Sequence, residues 1–169
     1  MRHLYVKQVS PEKIPVDNDF LKSCRVEVLY PQVWRLHRLG EKISFKEGLS
    51  RLLFRLMAGK RYRIYYLDSG EDIVHTAHLV PPCKKFPFLQ KGEWELGPCV
   101  TRERYRRRGV YHYMLRYLSA LEELKGDTVY LLIRRDNTAS IGGAEKSGFV
   151  RCGSVRKTKY LTYERENEP

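Results

Sequence analysis

The hydrophobic and polar positions of this chain repeat with two different periods, one typical of strands and one typical of helices. Residues 2–9, RHLYVKQV, are predicted to form a first strand. Residues 44–59 are predicted to form a helix that opens with a capping box of Ser44 and Glu47 and closes on a glycine. One face of this helix carries Leu49, Leu52, Leu53 and Leu56. Residues 10–43 contain apolar patches but predict no clear element.

The rest of the chain alternates strand-like and helical stretches. Strands are predicted at residues 62–68, 72–80, 93–101, 128–135, 149–155 and 159–165. DSGED, between the first two of these strands, predicts a tight turn and an antiparallel hairpin. Apolar residues at helical spacing predict a helix from Gly109 to about Lys125, and a shorter helix weakened by two glycines is predicted over 137–148. TVYLLIRR, residues 128–135, is nearly all apolar and predicts a strand buried on both faces.

The order of these elements predicts the fold class. The strand 93–101, the helix that follows and the strand 128–135 form a unit that implies a parallel pair with a right-handed crossover. Together with the antiparallel hairpin, this pair predicts an α+β fold with a mixed sheet. Neither an internal repeat nor a low-complexity linker interrupts residues 1–169, so we expect a single domain.

Composition adds a strong positive charge to this picture. Lys and Arg outnumber Asp and Glu by 32 to 20, for a net charge of +12. Such a charge predicts attraction to nucleic acid, to a phosphorylated small molecule or to an acidic membrane surface, without choosing among them. The four cysteines are widely spaced and form no CxxC pair, so no metal site is predicted. We expect a soluble, cytoplasmic protein, because no signal-peptide pattern and no apolar run of about 18 residues is present.

Arginines are concentrated at one strand-to-helix junction. Five fall within residues 102–108, and Gly109 follows them. The first turn of a helix has backbone N–H groups without partners and a partial positive charge, so a pyrophosphate placed there meets several donors. Gly109 allows an anion to approach the backbone, and Arg106, Arg107 and Arg108 add forked donors. We interpret this stretch as a phosphate-binding turn, with a nucleic-acid arm or a solvated basic loop as the alternatives.

Two stretches of the sequence resemble the GNAT superfamily of N-acetyltransferases. YRRRGVY places Arg106, Gly109 and Tyr111 at the spacing of the acyl-CoA-binding signature of that family. RRDNTASIGGAEKSGF, residues 134–149, is similar to a second stretch in which an asparagine on a helix precedes a Gly-Phe pair. The two stretches occur in the order found in the family, separated by a helix and a buried strand. The combination looks closest to members associated with bacterial surface-polysaccharide gene clusters.

The resemblance implies a GNAT-like, mostly antiparallel sheet flanked by helices, with a central parallel strand pair splayed around acetyl-CoA or another acyl-CoA. One strand would pair with the pantetheine arm, the arginine turn would hold the pyrophosphate, Asn137 would contact the pantetheine and Lys146 would reach the nucleotide end. The residues assigned in this way to acyl-CoA are Cys99, Val100, Thr101, Arg106, Arg107, Arg108, Gly109, Val110, Tyr111, Asn137, Ser140 and Lys146.

The sequence departs from the family pattern at two positions. Many family members have a tyrosine four residues before the glycine of Gly-Phe, where it protonates the leaving thiolate, and this chain has Ala144 there. Tyr111 stands where the signature has Gly or Ala. Tyr111 and Tyr113 are therefore candidates for a substitute acid, and packing of either ring in the core is the alternative.

The candidates for the general base lie on two neighbouring strands. A thioester is already activated, so the protein must mainly orient it and accept a proton from an ammonium. Glu95 matches the position of a catalytic glutamate in some family members, and His75 and His78 lie on opposite faces of the preceding strand. A solvent-facing carboxylate and structural histidines are the alternatives. Because no base is paired with Cys99, direct transfer is predicted in preference to a covalent intermediate.

The combined prediction is an N-acyltransferase that moves an acyl group, most simply acetyl, from acyl-CoA directly to a small amine. The positive charge suits an anionic acceptor, such as an amino sugar or a nucleotide-linked amino sugar. We expect a monomer or a homodimer without a metal. A basic nucleic-acid-binding module and a catalytically silent acyl-CoA-binding protein remain as alternatives.

Overall fold

The computed structural model describes residues 1–16, 18–38, 41, 43–160 and 162–166. Within these residues the chain forms a single eight-stranded sheet and four α-helices. The strands are β1 (Arg2–Gln8), β2 (Arg25–Leu29), β3 (Arg63–Asp68), β4 (Ile73–Val80), β5 (Glu93–Thr101), β6 (Thr128–Arg134), β7 (Val150–Lys157) and β8 (Tyr163–Glu166). The helices are α1 (Asp19–Ser23), α2 (Phe45–Ala58), α3 (Val110–Leu118) and α4 (Thr138–Lys146).

The strands lie in the order β2-β3-β4-β5-β6-β1-β7-β8. Neighbouring strands run antiparallel except for β5 and β6, which run parallel and are connected through α3. The predicted hairpin is the antiparallel pair of β3 and β4. The α+β class, the mostly antiparallel sheet and the parallel pair are therefore confirmed.

The first strand lies in the interior of the sheet. β1 runs between β6 and β7 and is antiparallel to both, so that Leu4 pairs with Leu132 on one side and with Gly153 on the other. Leu4 and Tyr5 point to opposite faces of the sheet, and their exposed fractions are 0% and 2%. The N-terminal segment thus fills the place between two strands that are consecutive through α4.

Helix α2 has the predicted cap but not the expected packing of an apolar face. The Ser44 side chain accepts from the Glu47 amide, and the Glu47 carboxylate accepts from the Ser44 amide. Of its leucines, Leu53 is 48% exposed, whereas Phe54 and Arg51 are buried at 2% and 4%. Leu49 and Leu56 are likewise exposed. The helix is rotated so that Phe54 enters the core and Arg51 reaches the carboxylate of Glu41 at 2.6 Å.

The helix that begins after Gly109 was predicted to extend to about Lys125, and this prediction was wrong. α3 ends at Leu118, and a separate 3₁₀ turn covers Glu122–Leu124. The chain bends there because Leu124 packs into the core at 2% exposure. The last two strands also differ from the prediction, since β7 extends to Lys157 and β8 begins at Tyr163. Leu161, within the predicted last strand, lies outside the described residues.

The central strands of the sheet are buried on both faces, as β6 shows. Val129, Leu131 and Ile133 join a core cluster with α3, while Tyr130 and Leu132 join a second cluster with Phe54 and Phe86 on the opposite face. The prediction that 128–135 is buried on both faces is confirmed for the strand itself. No helix in the described part of the chain is long and apolar enough to cross a bilayer.

Candidate active site

The two parallel strands separate shortly after they pair. β5 and β6 pair over Glu93–Glu95 and 128–130, after which β5 continues along β4 and β6 continues along β1. A cavity of about 310 Å³ opens at this separation. Its lining residues include Arg2, Phe54, Lys85, Phe86, Glu95, Gly97, Cys99, Tyr111, Asn137, Ser140 and Tyr163. The cavity therefore lies where two splayed strands were predicted to surround a ligand.

Glu95 is the carboxylic acid of this cavity. It is 6% exposed, and its Oε2 atom has no hydrogen-bond partner among the residues that the structure describes. Burial raises the pKa of Glu95 to about 8, although Lys85 and Arg2 act in the opposite direction. A carboxyl group with this pKa exchanges its proton near neutrality, as a general base must.

Gly97 provides the space that the carboxyl group occupies. A Cβ atom at this glycine would lie 2.7 Å from Oε1 of Glu95, well inside contact distance. Because residue 97 is a glycine, the Glu95 side chain can lie along the strand beside it and reach the cavity. The sequence alone gave no indication of this relationship.

The two histidines are buried outside the cavity lining. Nδ1 of His75 lies 2.7 Å from Oγ1 of Thr101, and Nδ1 of His78 lies 2.6 Å from the Tyr62 hydroxyl. They face opposite core clusters, as their spacing predicted: His75 lies near Tyr111 and His78 near Tyr62. Burial lowers the pKa of His75 to about 4 and that of His78 to about 3. Both imidazoles are thus neutral and weak bases near pH 7, which leaves Glu95 as the better placed candidate.

The free edge of β5 leads out of the cavity, whose lining includes Cys99 but not the next two residues of the strand. Cys99, Val100 and Thr101 pair with β4 on one side, but on the other side β6 has already diverged. Backbone groups at such an edge are available to an extended ligand that adds itself as a strand. Burial and the charge of Glu95 raise the pKa of the Cys99 thiol, so the sulfur is protonated and poorly nucleophilic.

The arginine turn has the backbone of an anion-binding loop. Arg107 and Gly109 have positive φ angles of 63° and 74°, and Gly109 is the N-cap of α3. In the described residues, the amides of 107–111 have no hydrogen-bond acceptor. Consecutive free amides in such a turn form a nest for a phosphate.

The arginines of the turn divide into two groups. Arg102 and Arg104 both pair with Asp72, at the end of the β3–β4 hairpin. Arg106, Arg107 and Arg108 are exposed and have no ion pair within the described part of the chain. Three cations therefore remain beside the free amides, which favours a compact phosphate site over an extended basic arm.

Helix α4 begins at the far wall of the cavity. The Asn137 side chain caps this helix by accepting from the Ser140 amide at 3.2 Å, and both residues line the cavity. The side-chain nitrogen of Asn137, Nδ2, has no acceptor among the described residues, whereas its backbone amide donates to the Arg134 carbonyl oxygen. Lys146 is exposed at the other end of α4 and is not part of the cavity lining.

Tyr111 fits this site because α4 carries a glycine opposite it. A Cβ atom at Gly143 would lie 2.7 Å from the Tyr111 ring. The ring lines the cavity, and its hydroxyl group interacts with the Ser140 side chain. Ala144 is fully buried in the core, and Tyr113 lies outside the cavity, with its ring centroid 6.1 Å from that of Tyr117 and tilted by 38°. Tyr111 is thus the substitute-acid candidate that the structure brings to the cavity.

Three cationic residues of the cavity were not predicted from the sequence: Arg134, which pairs with Asp136 at 2.5 Å, and two that follow no motif. Lys85 comes from the long loop between β4 and β5, and Arg2 comes from the start of β1. Neither lies in a motif, and only the sheet order brings them beside Glu95. Within the described residues, no group of His, Cys, Asp and Glu side chains is arranged to hold a metal ion.

Solved structures of N-acetyltransferases resemble this chain. A GCN5-related N-acetyltransferase from Sphaerobacter thermophilus has a TM-score of 0.55 at 13% identity, over 89% of this chain and 49% of that chain. The ribosomal-protein-S18-alanine N-acetyltransferase from Escherichia coli has a TM-score of 0.53 at 19% identity, over 80% of this chain and 83% of that chain. This chain thus spans about half the length of the Sphaerobacter protein. No family model and no curated protein matches the sequence. The likenesses show the fold of the GCN5-related N-acetyltransferases, the GNAT fold.

Proposed function

We propose that the protein is an acyl-CoA-dependent N-acyltransferase, most simply an acetyltransferase, that transfers the acyl group directly to an amine. The observation that carries this proposal is the position of Glu95, a buried carboxyl group with a pKa of about 8 at the point where β5 and β6 separate. The GNAT fold supports it, because the fold implies an acyl-CoA co-substrate.

The residues present fit an acyl-CoA. The free edge of β5 at Cys99–Thr101 matches an extended arm with amide groups, and the free amides of 107–111 match a pyrophosphate. Arg106, Arg107 and Arg108 add charge for the phosphates. The Asn137 side-chain amide donates a hydrogen bond to the pantetheine arm, and Lys146 contacts the nucleotide end of the acyl-CoA.

Each step of the reaction has a residue assigned to it. When bound, acyl-CoA supplies an activated thioester, and a backbone amide near Val100 polarises its carbonyl group. Glu95 accepts a proton from the acceptor ammonium, so that the free amine attacks. Burial raises the pKa of Tyr111, which keeps its hydroxyl group protonated as a hydrogen-bond donor to the departing sulfur. Cys99 contributes backbone and not its thiol.

The acceptor is an amine, and two classes are worth testing first. Amino sugars and nucleotide-linked amino sugars follow from the resemblance to surface-polysaccharide proteins. A protein N-terminus is the second class, since one similar structure is named for N-acetylation of a ribosomal-protein alanine.

Calorimetric titration with acetyl-CoA, CoA and dephospho-CoA tests the proposal. We expect saturable 1:1 binding, weakened by loss of the 3′-phosphate and by Gly109→Glu. Gly126→Glu is the matched control, because Gly126 also has a positive φ, of 83°, and open space around it but lies beyond the far end of α3. No binding of acetyl-CoA at millimolar concentration would refute the proposal and direct the search to nucleic acid. Binding without turnover of any amine would indicate a silent acyl-CoA-binding protein.

A further inference from the structure

The cavity extends past Glu95 into a part that the proposed acyl-CoA contacts do not use. This part is lined by residues from four distant segments: Arg2 on β1, Phe54 on α2, Lys85 and Phe86 on the β4–β5 loop, and Tyr163 on β8. The loop is attached to β8, because the Tyr163 amide donates to the Lys85 carbonyl oxygen at 2.9 Å. The region has two cations, three aromatic rings and one carboxyl group.

Lys85 is a half-buried cation that lacks an anionic partner in the described residues. Its Nζ atom lies 4.0 Å from the centroid of the Phe54 ring and 5.6 Å from that of Phe86, and no carboxylate comes within ion-pair distance. Burial lowers the pKa of this ammonium, while the nearby charge of Glu95 acts in the opposite direction. Two aromatic faces therefore hold the ammonium at the cavity wall without neutralising it.

Arg2 is the second cation of this part of the cavity that lies against an aromatic ring. Its guanidinium carbon lies 5.3 Å from the centroid of the Tyr163 ring, and one nitrogen donates to the Leu132 carbonyl at 3.4 Å. A guanidinium has five N–H donors in a planar fork, so most of the Arg2 donors have no acceptor within the described part of the chain. No ion pair of Arg2 occurs among the residues that the structure describes.

Among the other partly buried arginines that the structure describes, Arg55 donates to the Pro31 carbonyl oxygen at 2.8 Å, whereas two are neutralised by carboxylates. Arg51 pairs with Glu41 at 2.6 Å, and Arg63 pairs with Glu123. A partly buried cation without a counter-charge is costly, and two such cations beside one carboxyl group leave the cavity positive. An oxyanion from a ligand would supply the missing charge.

We infer that the acceptor is an amine that also carries an oxyanion, a phosphate or a carboxylate, which Lys85 and Arg2 bind while the amine faces Glu95. The aromatic rings of Phe54, Phe86 and Tyr163 pack against the apolar part of the same molecule. This inference rests on the proposed function and narrows it to one chemical class of acceptor. Because fixed charges set the position of the oxyanion, they also orient the amine towards the carboxyl group.

Matched amine pairs at saturating acetyl-CoA test this class. The probes are glucosamine 6-phosphate against glucosamine, phosphoethanolamine against ethanolamine, and alanine against alaninamide. The rate of each reaction is measured by the release of the CoA thiol. Charge-assisted hydrogen bonds make us expect the charged member of at least one pair to have a kcat/KM about tenfold higher or more. The phosphate pairs and the carboxylate pair distinguish the two oxyanions.

Variants locate the effect. Lys85→Met keeps an unbranched apolar side chain over the Phe54 ring but removes the charge. Arg2→Gln replaces the guanidinium with a shorter, neutral amide. We expect each to raise KM for the charged amine about tenfold or more beyond its effect on KM for the neutral amine, because the loss of charge beside Glu95 raises the pKa of the base for both amines alike. Lys84→Met is the control, because Lys84 is the exposed neighbour and does not line the cavity. Equal effects on charged and neutral amines would contradict the inference.

Failure of the inference is distinct from failure of the proposed function. Titration of the same preparations with acetyl-CoA tests the function, whereas titration of CoA-saturated protein with the charged amines tests the acceptor site without requiring turnover. Binding of a charged amine that is lost in Lys85→Met supports the inference even if that amine is a poor substrate. If acetyl-CoA binds but no charged amine binds at 10 mM, the inference is overturned and the proposed function stands. This concentration is about tenfold above the upper end of ordinary KM values.

Discussion

Glu95→Gln should stabilise the protein at mildly alkaline pH and abolish acyl transfer. The wild-type carboxyl group has a pKa of about 8 when folded and about 4.3 in an unfolded chain. Between these values the folded protein binds a proton that the unfolded chain has released. The free energy of unfolding therefore falls as the pH rises through this window and levels off above the folded pKa.

The size of this effect follows from the pKa difference. One pH unit corresponds to about 1.4 kcal/mol, so the wild type should lose about 2 kcal/mol relative to Glu95→Gln between pH 6.5 and 8. The range begins at 6.5 because the buried imidazoles of His75 and His78 give the opposite slope. Their pKa values of about 4 and about 3 lie below that of a free histidine, so their contribution to stability rises with pH up to about 6.5.

Urea denaturation at half-unit steps from pH 6.5 to 8.5 measures the prediction. The quantity of interest is the difference in free energy of unfolding between Glu95→Gln and wild type, which should grow with pH. Glu164→Gln is the control, because it makes the same substitution at an exposed position on β8. The pH dependence of kcat/KM for acetyl transfer should rise with the ionised fraction of Glu95, with a midpoint near 8.

Parallel stability curves for wild type and Glu95→Gln would refute this reasoning. Such curves would mean that Glu95 is not held protonated by burial, and its assignment as the base would lose its physical basis. A loss of activity without the change in pH dependence would indicate instead that glutamine alters the shape of the cavity.

Three further predictions concern the shape of the site and of α2. Gly97→Ala should displace the Glu95 carboxyl group and lower kcat/KM about 100-fold in steady-state assays, with little change in melting temperature because only a flexible side chain must move. Tyr111→Phe should lower kcat about tenfold, measured at saturating acetyl-CoA, because it removes one hydrogen bond. Phe54→Ala should cost about 3–5 kcal/mol in urea denaturation, whereas Leu53→Ala should stay within about 0.5 kcal/mol because this leucine is exposed.

These variants have controls within the same protein. Gly142→Ala also adds a methyl group near the site, but a Cβ atom there meets nothing within 4 Å, so activity should persist. An unchanged kcat in Tyr111→Phe would indicate that solvent, and not Tyr111, donates the hydrogen bond to the departing sulfur. A large cost for Leu53→Ala would show that the exposed face of α2 is covered in solution.

The elements that the sequence predicted well are those determined locally. The phosphate turn was visible because its glycine and arginines lie within a few residues of one another, and the strand 128–135 because burial on both faces demands a continuous apolar run. The capping box of Ser44 and Glu47 was visible for the same reason. Each of these signals needs no knowledge of distant parts of the chain.

The elements that were missed depend on contacts between distant residues. Helical periodicity showed that α2 is amphipathic but not which face would be buried, and the structure buries Arg51 because Glu41 is within reach. The burial of Glu95 was equally invisible, since a glutamate on a strand is usually solvated. Lys85 and Arg2 carry no motif and reach the cavity only through the order of the strands.

The position of β1 has a consequence for how the chain folds. During synthesis β1 emerges before the other strands of the sheet, and both of its partners, β6 and β7, begin more than 120 residues later along the chain. The centre of the sheet therefore cannot close until those strands have left the ribosome, and contacts of such long sequence separation form slowly. Until then β1 has two unpaired edges and exposes Leu4 and Tyr5, which the finished sheet buries, so aggregation during expression should be most sensitive to changes in this strand.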